Sequence, residues 1–408
     1  MDAGLSLAEV AGTELTRQAV HLIETGKVRP TARSLRVIAL RVGVSESSLL
    51  APPGPMSDEF RISRLEQLCQ RAEYALAAEQ AERVLALQGS DELTAFAHHY
   101  AGVALFHLAR LADALPHLVE ARARFERLGN ERWAAESMDW EAMALNQMES
   151  AAAALRVGRR ALRRYRAQDS RSAETEARIL EHLGTISAGR HDYEAGRGFY
   201  EAALQVDGGV RELARIARVY HGLATCYQGM RQLSRANELM LRAIALYEAE
   251  QRIAPAPMRL ELPVVENDYG MVLMDLGDLE RAEEVFRAAF EHFAEAGIER
   301  LQSHALLSLG ELRQRQGLLD DALELVAEAL SRAASLDETY ALGAGYRQLG
   351  ELHELRGERE HADASFQRAL ALCQQAGLVE REAECLHAYE RVLAERRHAR
   401  RRSRSAGA

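Results

Sequence analysis

Residues 270–289 read GMVLMDLGDLERAEEVFRAA, and this stretch carries the pattern that decides the fold. A small residue stands at Gly270, a turn glycine at Gly277, and Ala282 and Phe286 follow at helical spacing. Small residues let two helix backbones approach, an aromatic ring fills the remaining gap, and glycine accepts the positive φ of a helix end. The stretch therefore predicts two helices joined by a short turn and packed against each other.

The same pattern recurs along the chain at a nearly constant period. Its anchor residues are Gly102, Ala142, Gly184, Ala224, Gly270, Gly310 and Gly350, mostly 40 residues apart. The longest spacing, 46 residues, contains the proline-rich segment 252–263, which we predict to be an inserted loop. Repetition at a fixed period is typical of stacked helix pairs. We predict an all-α fold in which residues 58–395 form a right-handed superhelical solenoid.

The pattern resembles the tetratricopeptide repeat, in a longer version of about 40 residues. Seven clear copies lie within 58–395, together with a degenerate first pair near 65–87 and a closing helix from Val379. The resemblance implies a concave groove lined by the first helix of each pair. The groove-facing candidates are Asp139, Asn146, Arg178, Arg218, His221, Asn267, His304, Gln314 and Arg347. Asparagine can hydrogen-bond a peptide backbone in both directions and arginine can bind its carboxylate, while the alternative is that these are ordinary solvated positions.

The first fifty residues carry a different set of helix signals. Ser6 and Glu9 form a capping box, Thr16 precedes a second helix, and Thr31 opens a third. A last short helix is predicted from Ser45. Two short helices joined by a tight turn are the layout of a helix-turn-helix reader of DNA.

Residues 5–50 resemble the Cro/repressor, or xenobiotic-response-element, class of helix-turn-helix domains. The resemblance implies a core of Val10, Ala11, Val20 and Ile23. It implies base contacts by Arg17, Gln18 and His21, and phosphate contacts near Thr16, Lys27 and Arg29. The first helix of that class is missing here: either translation starts upstream of Met1, or the domain lacks a packing layer.

Charge and proline content divide the chain into four regions. Residues 1–50 form the predicted DNA-binding domain, 51–57 a proline-rich linker, 58–395 the solenoid and 396–408 a basic disordered tail. The chain carries a net charge of −10, with +1 on residues 1–50 and +6 on residues 391–408, which leaves −17 for the remainder. We expect the acidic solenoid to repel DNA and to confine DNA contact to the head.

Several classes of protein are excluded by what the sequence lacks. It shows no signal peptide and no apolar stretch long enough to span a membrane. Its four cysteines form no CxxC pair, which is typical of thiols in a reducing cytoplasm. It contains no HExxH, Walker A, GxSxG or GxGxxG motif, and its histidines show no ligand spacing. We predict a cytoplasmic protein that is not an enzyme and that binds no metal and no cofactor.

The order of the domains resembles that of the peptide-sensing quorum regulators of Gram-positive bacteria and of other repeat-containing bacterial transcription factors. The resemblance implies a homodimeric transcriptional regulator that binds double-stranded DNA through its head and a peptide or protein signal in its groove. Two alternatives remain open. The repeats can form a protein-interaction scaffold that does not read DNA, and the head can be a remnant that only caps the solenoid.

Overall fold

The structure, a computed structural model, describes residues 6–25, 27–28, 30–42, 57–87, 89–169, 171–206, 208, 212–253 and 261–406. These residues form helices and connecting turns, without a β-strand among them, so the predicted all-α class is confirmed. No described helix is both long enough and apolar enough to cross a bilayer. Contacts between Cα atoms divide the chain into two units, Met1–Arg64 and Leu65–Ala408. The predicted helix from Ser45 and the linker residues 51–56 lie outside the described residues.

The described part of the head contains three helices, α1 (Leu7–Ala11), α2 (Arg17–Glu24) and α3 (Ala32–Val42). The capping box is present: the Ser6 hydroxyl accepts the Glu9 amide at 3.3 Å, and the Glu9 carboxylate accepts the Ser6 amide at 2.6 Å. The hydroxyls of Thr16 and Thr31 each accept the backbone amide three residues on, at 3.0 and 3.1 Å. The helix starts predicted from the sequence are thus confirmed.

The core of the head is small. Ala11 and Val20 are buried as predicted, Val10 and Ile23 are half-buried, and Ala39 of α3 joins the buried set. Helix α1 contacts both α2 and α3. The side of α2 that includes Val20 therefore packs into this core, and the opposite side of α2 faces solvent.

Residues 58–406 form eight helix pairs and a closing helix. The first helices of the pairs are α4 (Asp58–Gln70), α6 (Asp91–His107), α8 (Glu131–Gln147), α10 (Ala173–Gly189), α12 (Leu213–Gly229), α14 (Glu261–Leu276), α16 (Glu299–Arg315) and α18 (Thr339–Leu355). The second helices are α5 (Tyr74–Leu85), α7 (Leu111–Arg127), α9 (Ala151–Arg166), α11 (Tyr193–Gln205), α13 (Leu233–Ile253), α15 (Leu279–Glu295), α17 (Leu319–Ser335) and α19 (Arg359–Ala376). The closing helix is α20 (Val379–Ala406). The predicted solenoid of helix pairs is confirmed.

The repeat register follows the predicted contacts between small and aromatic residues. A Cβ atom added at Gly270 would lie 2.4 Å from the ring of Phe286, and both Phe286 and Ala282 are fully buried. A Cβ atom at Gly350 would likewise lie 2.9 Å from the ring of Phe366. Glycine at these two anchors is thus required because the aromatic ring of the second helix occupies the space of a side chain.

The turns within pairs share a left-handed residue, but glycine provides it only in part of the array. Gly277, Gly317 and Gly357 have φ of 86°, 79° and 76°, as predicted. In five earlier pairs a residue with a side chain adopts this conformation: Ala72, Ala109, Glu149, His191 and Arg231. The earlier pairs therefore keep the left-handed turn without the glycine that the later pairs carry. The helix end imposes the positive φ, and these residues adopt it at a cost of about 1–2 kcal/mol.

The first helices form the inner layer of the array. From α6 to α18, each first helix contacts the first helix of the next pair as well as its own partner. No two second helices of neighbouring pairs show such contact in the described part of the chain. Since helices converge on the concave side of a curved array, the first helices line the predicted groove.

The proline-rich segment is shorter than predicted. Helix α13 continues to Ile253, and α14 begins at Glu261 with Pro263 in its first turn, where the missing amide hydrogen costs nothing. Residues 254–260 lie outside the described part. The predicted loop over 252–263 thus loses residues to helices at both ends.

The predicted disordered tail is also partly wrong. Helix α20 continues through Ala406, and the side chain of Arg396 is only 10% exposed. Its guanidinium group donates to Glu354 and to Asp363, the latter at 2.9 Å. These carboxylates belong to the preceding helix pair, so the basic segment extends the array instead of leaving it.

The closing helix also contacts earlier turns of the array. The Glu380 amide donates to the Glu149 carboxylate, and the His191 imidazole lies 3.9 Å from the Glu384 carboxylate. Burial raises the pKa of Glu149. The array therefore curves enough to bring its last helix to the turns of its third and fourth pairs.

Candidate functional site

The predicted DNA contacts of the head share one exposed surface. Arg17, Gln18 and His21 lie one and three positions apart on α2 and are all exposed, while Val20 between them is buried. Thr16 and Lys27 are exposed near the two ends of the helix. Arg29 lies outside the described residues. The structure thus brings the three predicted base contacts together, and their role in DNA binding stays a prediction.

The inner layer of the array holds a buried ion cluster. Asp139 of α8 is 1% exposed, and its carboxylate accepts hydrogen bonds from Arg178 at 3.0 Å and from His182 at 2.9 Å. Arg178 also reaches Glu136 at 3.4 Å. Burial alone would raise the pKa of Asp139, but the charges and hydrogen bonds of His182 and Arg178 outweigh it and hold that pKa below its usual value. Asp139 thus joins α8 to α10, and its predicted role as a groove contact stays a prediction.

Similar contacts continue along the inner layer. Glu181 accepts Arg218 at 2.8 Å, and His221 lies 2.8 Å from the Asp268 carboxylate. We call the whole series the inner ladder: Asp139–Arg178, Glu181–Arg218, His221–Asp268 and Asp275–Arg315. Each contact joins the first helices of successive pairs. Three further predicted groove residues, Arg178, Arg218 and His221, therefore already have partners within the chain.

Three of the predicted groove residues carry side-chain amides and are not part of the inner ladder. Asn267 on α14 and Gln314 on α16 are half-buried, and the side-chain carbonyl oxygen of each is buried without a hydrogen-bond partner among the described residues. Asn146 on α8 is also half-buried. A buried acceptor without a partner costs about 1–3 kcal/mol, which a ligand that donates a hydrogen bond would recover. Asn267 and Gln314 are therefore two predicted groove residues whose side-chain oxygens no described residue uses.

A polar cavity of about 340 Å³ lies toward the end of the array. Its lining residues are Glu311, Gln314, Arg315, Arg347, Gln348, Glu351 and Arg391. Glu351 accepts hydrogen bonds from Arg347 at 3.2 Å and from Arg391 at 3.1 Å. The structure thus brings the predicted residues Gln314 and Arg347 together in a cavity with three arginines and two glutamates.

An aromatic strip runs along the inner layer near the start of the array. The ring centroids of Tyr74 and His107 lie 4.2 Å apart, those of His107 and Trp140 5.2 Å, and those of Trp140 and His182 5.3 Å. The side chains of Tyr74, Trp140 and His182 are half-buried and that of His107 is exposed. Such aromatic faces can pack against apolar ligand groups.

The remaining histidines of the inner layer have partners within the chain. His304, a predicted groove residue, lies 2.9 Å from the Glu338 carboxylate. The adjacent His98 and His99 contact different neighbours, His117 at 3.0 Å and Ser137 at 2.9 Å. Burial lowers the pKa of His99 to about 3. Across the described residues, no three His, Cys, Asp or Glu side chains converge as metal ligands would.

The sequence did not reveal the partners of the inner ladder. Glu181, Asp268 and Asp275 were not among the predicted site residues, although each pairs with a residue about one repeat length away. Separations of 37, 47 and 40 residues place opposite charges on successive first helices. A search for opposite charges at the repeat period would have found them.

Comparison with known proteins supports the resemblance of the repeats to tetratricopeptide repeats. A family model of the tetratricopeptide repeat matches residues 261–335. No curated protein sequence matches the chain significantly.

Several solved structures are similar in fold at low sequence identity. The quorum sensor NprR from B. thuringiensis, in its apo form, has a TM-score of 0.64 at 14% identity, covering 86% of this chain and 95% of that one. A Rap protein complexed with Competence and Sporulation Factor has a TM-score of 0.59 at 14% identity, covering 83% and 98%. Aspartyl phosphate phosphatase F from Bacillus subtilis has a TM-score of 0.55 at 14% identity, covering 92% and 95%. The array is thus a tetratricopeptide-like repeat domain similar to those of NprR and the Rap proteins.

Proposed function

We propose that this chain is a cytoplasmic DNA-binding transcriptional regulator whose repeat domain binds a peptide or protein signal and mediates dimerisation. The observation that carries the signal-binding part is the pair of unsatisfied amide oxygens, on Asn267 and Gln314, in the inner layer of the array. The fold likeness to the quorum sensor NprR and to a Rap protein complexed with Competence and Sporulation Factor supports the same part. The exposed row of Arg17, Gln18 and His21 supports the DNA-binding part.

A peptide suits the chemistry of the inner layer. A peptide backbone presents amide hydrogens and carbonyl oxygens alternately, and asparagine and glutamine side chains can bond to both. The cavity beside Gln314 offers the guanidinium groups of Arg315, Arg347 and Arg391 to a carboxylate. Apolar side chains of the peptide can pack on the strip of Tyr74, His107 and Trp140.

The inner ladder gives a means of coupling ligand binding to the shape of the array. Its contacts fix the distance between successive first helices, for example between α10 and α12 through Glu181 and Arg218. A ligand that takes over one of these partners changes the angle between two pairs, and small changes add along an array. A dimer would convert this change into a different spacing of its two DNA-reading heads.

Loss of the Asn267 amide should weaken peptide binding. The probe is a phage-displayed library of short random linear peptides, selected on the full chain, with the enriched peptides measured by fluorescence anisotropy. We expect Asn267→Ala to raise the Kd of the enriched peptides about fivefold, because the lost hydrogen bond is worth about 1 kcal/mol. Asn237→Ala is the matched control, since Asn237 is half-buried on the second helix α13. Equal affinities for the two variants would place the binding site elsewhere, and a library without enriched peptides would count against a peptide ligand.

Loss of the exposed α2 contacts should abolish sequence-specific DNA binding. The full chain is incubated with random double-stranded oligonucleotides, and the retained DNA is sequenced. We expect an enriched motif, and Arg17→Ala combined with Gln18→Ala should weaken binding to it about 30-fold or more, since each base contact contributes about 1–3 kcal/mol. The matched control is Gln367→Ala with Arg368→Ala, an exposed Gln and Arg pair on α19. An unselected pool would favour the protein-interaction scaffold, and an unchanged affinity in the α2 variant would remove α2 as the reading helix.

A further inference from the structure

Helix α9 carries a row of arginines on its exposed side. Arg156, Arg160 and Arg163, here called the arginine stripe, are all exposed. Arg160 lies 3.5 Å from Glu126, whereas Arg156 and Arg163 have no carboxylate at ion-pair distance within the described residues. The stripe is a local excess of positive charge on an array whose residues 51–390 carry −17. Two of its three arginines are therefore available to an acidic partner outside the described chain.

Helix α17 carries the opposite charge on its exposed side. Asp321, Glu324 and Glu328, here called the acidic stripe, are all exposed. Glu328 pairs with Arg332 of the same helix at 2.9 Å, whereas Asp321 and Glu324 have no such partner in the described part of the chain. Pairs between exposed residues on one helix are weak, so Glu328 is also available to another partner.

The two stripes match in spacing when their helices run antiparallel. The arginines follow one another after four and three residues, and the acidic residues after three and four. Antiparallel alignment therefore sets Arg156 against Glu328, Arg160 against Glu324, and Arg163 against Asp321. Helices α9 and α17 do not contact each other within the described chain. The two stripes therefore do not pair within one described chain, and their pairing would join two molecules.

We infer that the arginine stripe binds the acidic stripe of a second copy of this chain in a two-fold symmetric dimer. A two-fold interface makes each contact twice, so α9 of each protomer meets α17 of its partner. DNA is the less favoured occupant, because residues 51–390 as a whole carry a net charge of −17, which repels phosphates. The inference rests on the dimerisation part of the proposed function and assigns it a surface.

The test is a charge exchange measured in the full chain by analytical ultracentrifugation. One variant combines Arg156→Glu, Arg160→Glu and Arg163→Glu, and the other combines Asp321→Arg, Glu324→Arg and Glu328→Arg. Each variant alone should be monomeric, with the dimer Kd raised about 100-fold or more by like-charge contacts. An equimolar mixture of the two should dimerise, because both stripes are then complementary again. Raising NaCl from about 50 mM to about 500 mM should dissociate the wild-type dimer.

Three outcomes distinguish a failure of the proposed surface from a failure of the proposed dimerisation. A matched control for the acidic-stripe variant, Glu280→Arg with Glu284→Arg and Glu291→Arg, makes the same change in net charge at exposed positions of α15 and should leave the dimer intact. A wild-type chain that is monomeric at all concentrations overturns both the surface and the dimerisation part of the proposed function. A dimer that survives either stripe variant overturns the surface alone. Loss of DNA binding by the arginine-stripe variant with an unchanged dimer reassigns the stripe to phosphates.

Discussion

Replacing Asp139 by Ala should lower the free energy of unfolding by about 3–5 kcal/mol, because it removes one partner of a buried ion pair. The carboxylate is 1% exposed and accepts hydrogen bonds from Arg178 at 3.0 Å and His182 at 2.9 Å. Without it, Arg178 keeps only Glu136, at 3.4 Å, as a charged partner. Chemical denaturation followed by circular dichroism measures the loss, and hydrogen exchange of α8 and α10 shows where it occurs.

An exposed ion pair of similar length provides the control for Asp139. Asp113 lies 2.7 Å from Arg110, and both side chains are more than half exposed, so Asp113→Ala should cost less than about 1 kcal/mol. Adding Arg178→Met to Asp139→Ala should restore more than half of the lost stability, since the unpaired charge is then gone. A loss below about 1 kcal/mol in Asp139→Ala, or no recovery in the double variant, would show that the buried cluster does not hold the two pairs together.

The contribution of Asp139 should also depend on pH in a defined direction. Its pKa in the folded chain lies below the ordinary value of 3.8, because the charges and hydrogen bonds of His182 and Arg178 outweigh burial. A carboxyl group with a lowered pKa stabilises the fold above its unfolded pKa and loses that effect as the pH falls through its folded pKa. The difference between wild type and Asp139→Ala should therefore be constant from neutral pH down to about pH 5 and should shrink below pH 3.8.

The register of the helix pairs could be predicted from the sequence because its signal is local and repeated. Gly270, Ala282 and Phe286 lie within one pair, so their spacing alone specifies which residues meet. Independent copies of the same spacing then exclude coincidence. The helix starts at Ser6 and Thr16 could be predicted for the same reason, since a cap is decided within four residues.

The inner ladder could not be predicted in the same way, because its partners lie on different helices. Asp139 occupies a position that the repeat register assigns to the inner layer, but its burial depends on where Arg178 and His182 of the next pair lie. The position of a residue along a helix determines which way its side chain points. It does not determine how deeply the neighbouring helix buries that side chain. Arg396 shows the opposite error, since composition indicated disorder while Glu354 and Asp363 of the preceding pair hold it in place.

Replacing Gly270 by Leu should lower the free energy of unfolding by about 3 kcal/mol, although leucine favours a helix by roughly 1 kcal/mol over glycine. A Cβ atom at this position would lie 2.4 Å from a ring carbon of Phe286, which is fully buried and cannot move into solvent. The strain should separate α14 from α15 and raise hydrogen exchange in both helices. Chemical denaturation gives the total loss.

The matched control for Gly270 is a glycine on an open helix surface. Gly198 of α11 is exposed, and no atom lies within 4 Å of a Cβ added there. Gly198→Ala should therefore stabilise the chain by about 0.5–1 kcal/mol through helix propensity alone. Combining Gly270→Ala with Phe286→Leu should cost less than the sum of the two single changes, because the smaller side chain vacates the space that the new methyl group needs. Additive losses would mean that the two residues do not share one space, and the register that defines every pair of the array would then be misassigned.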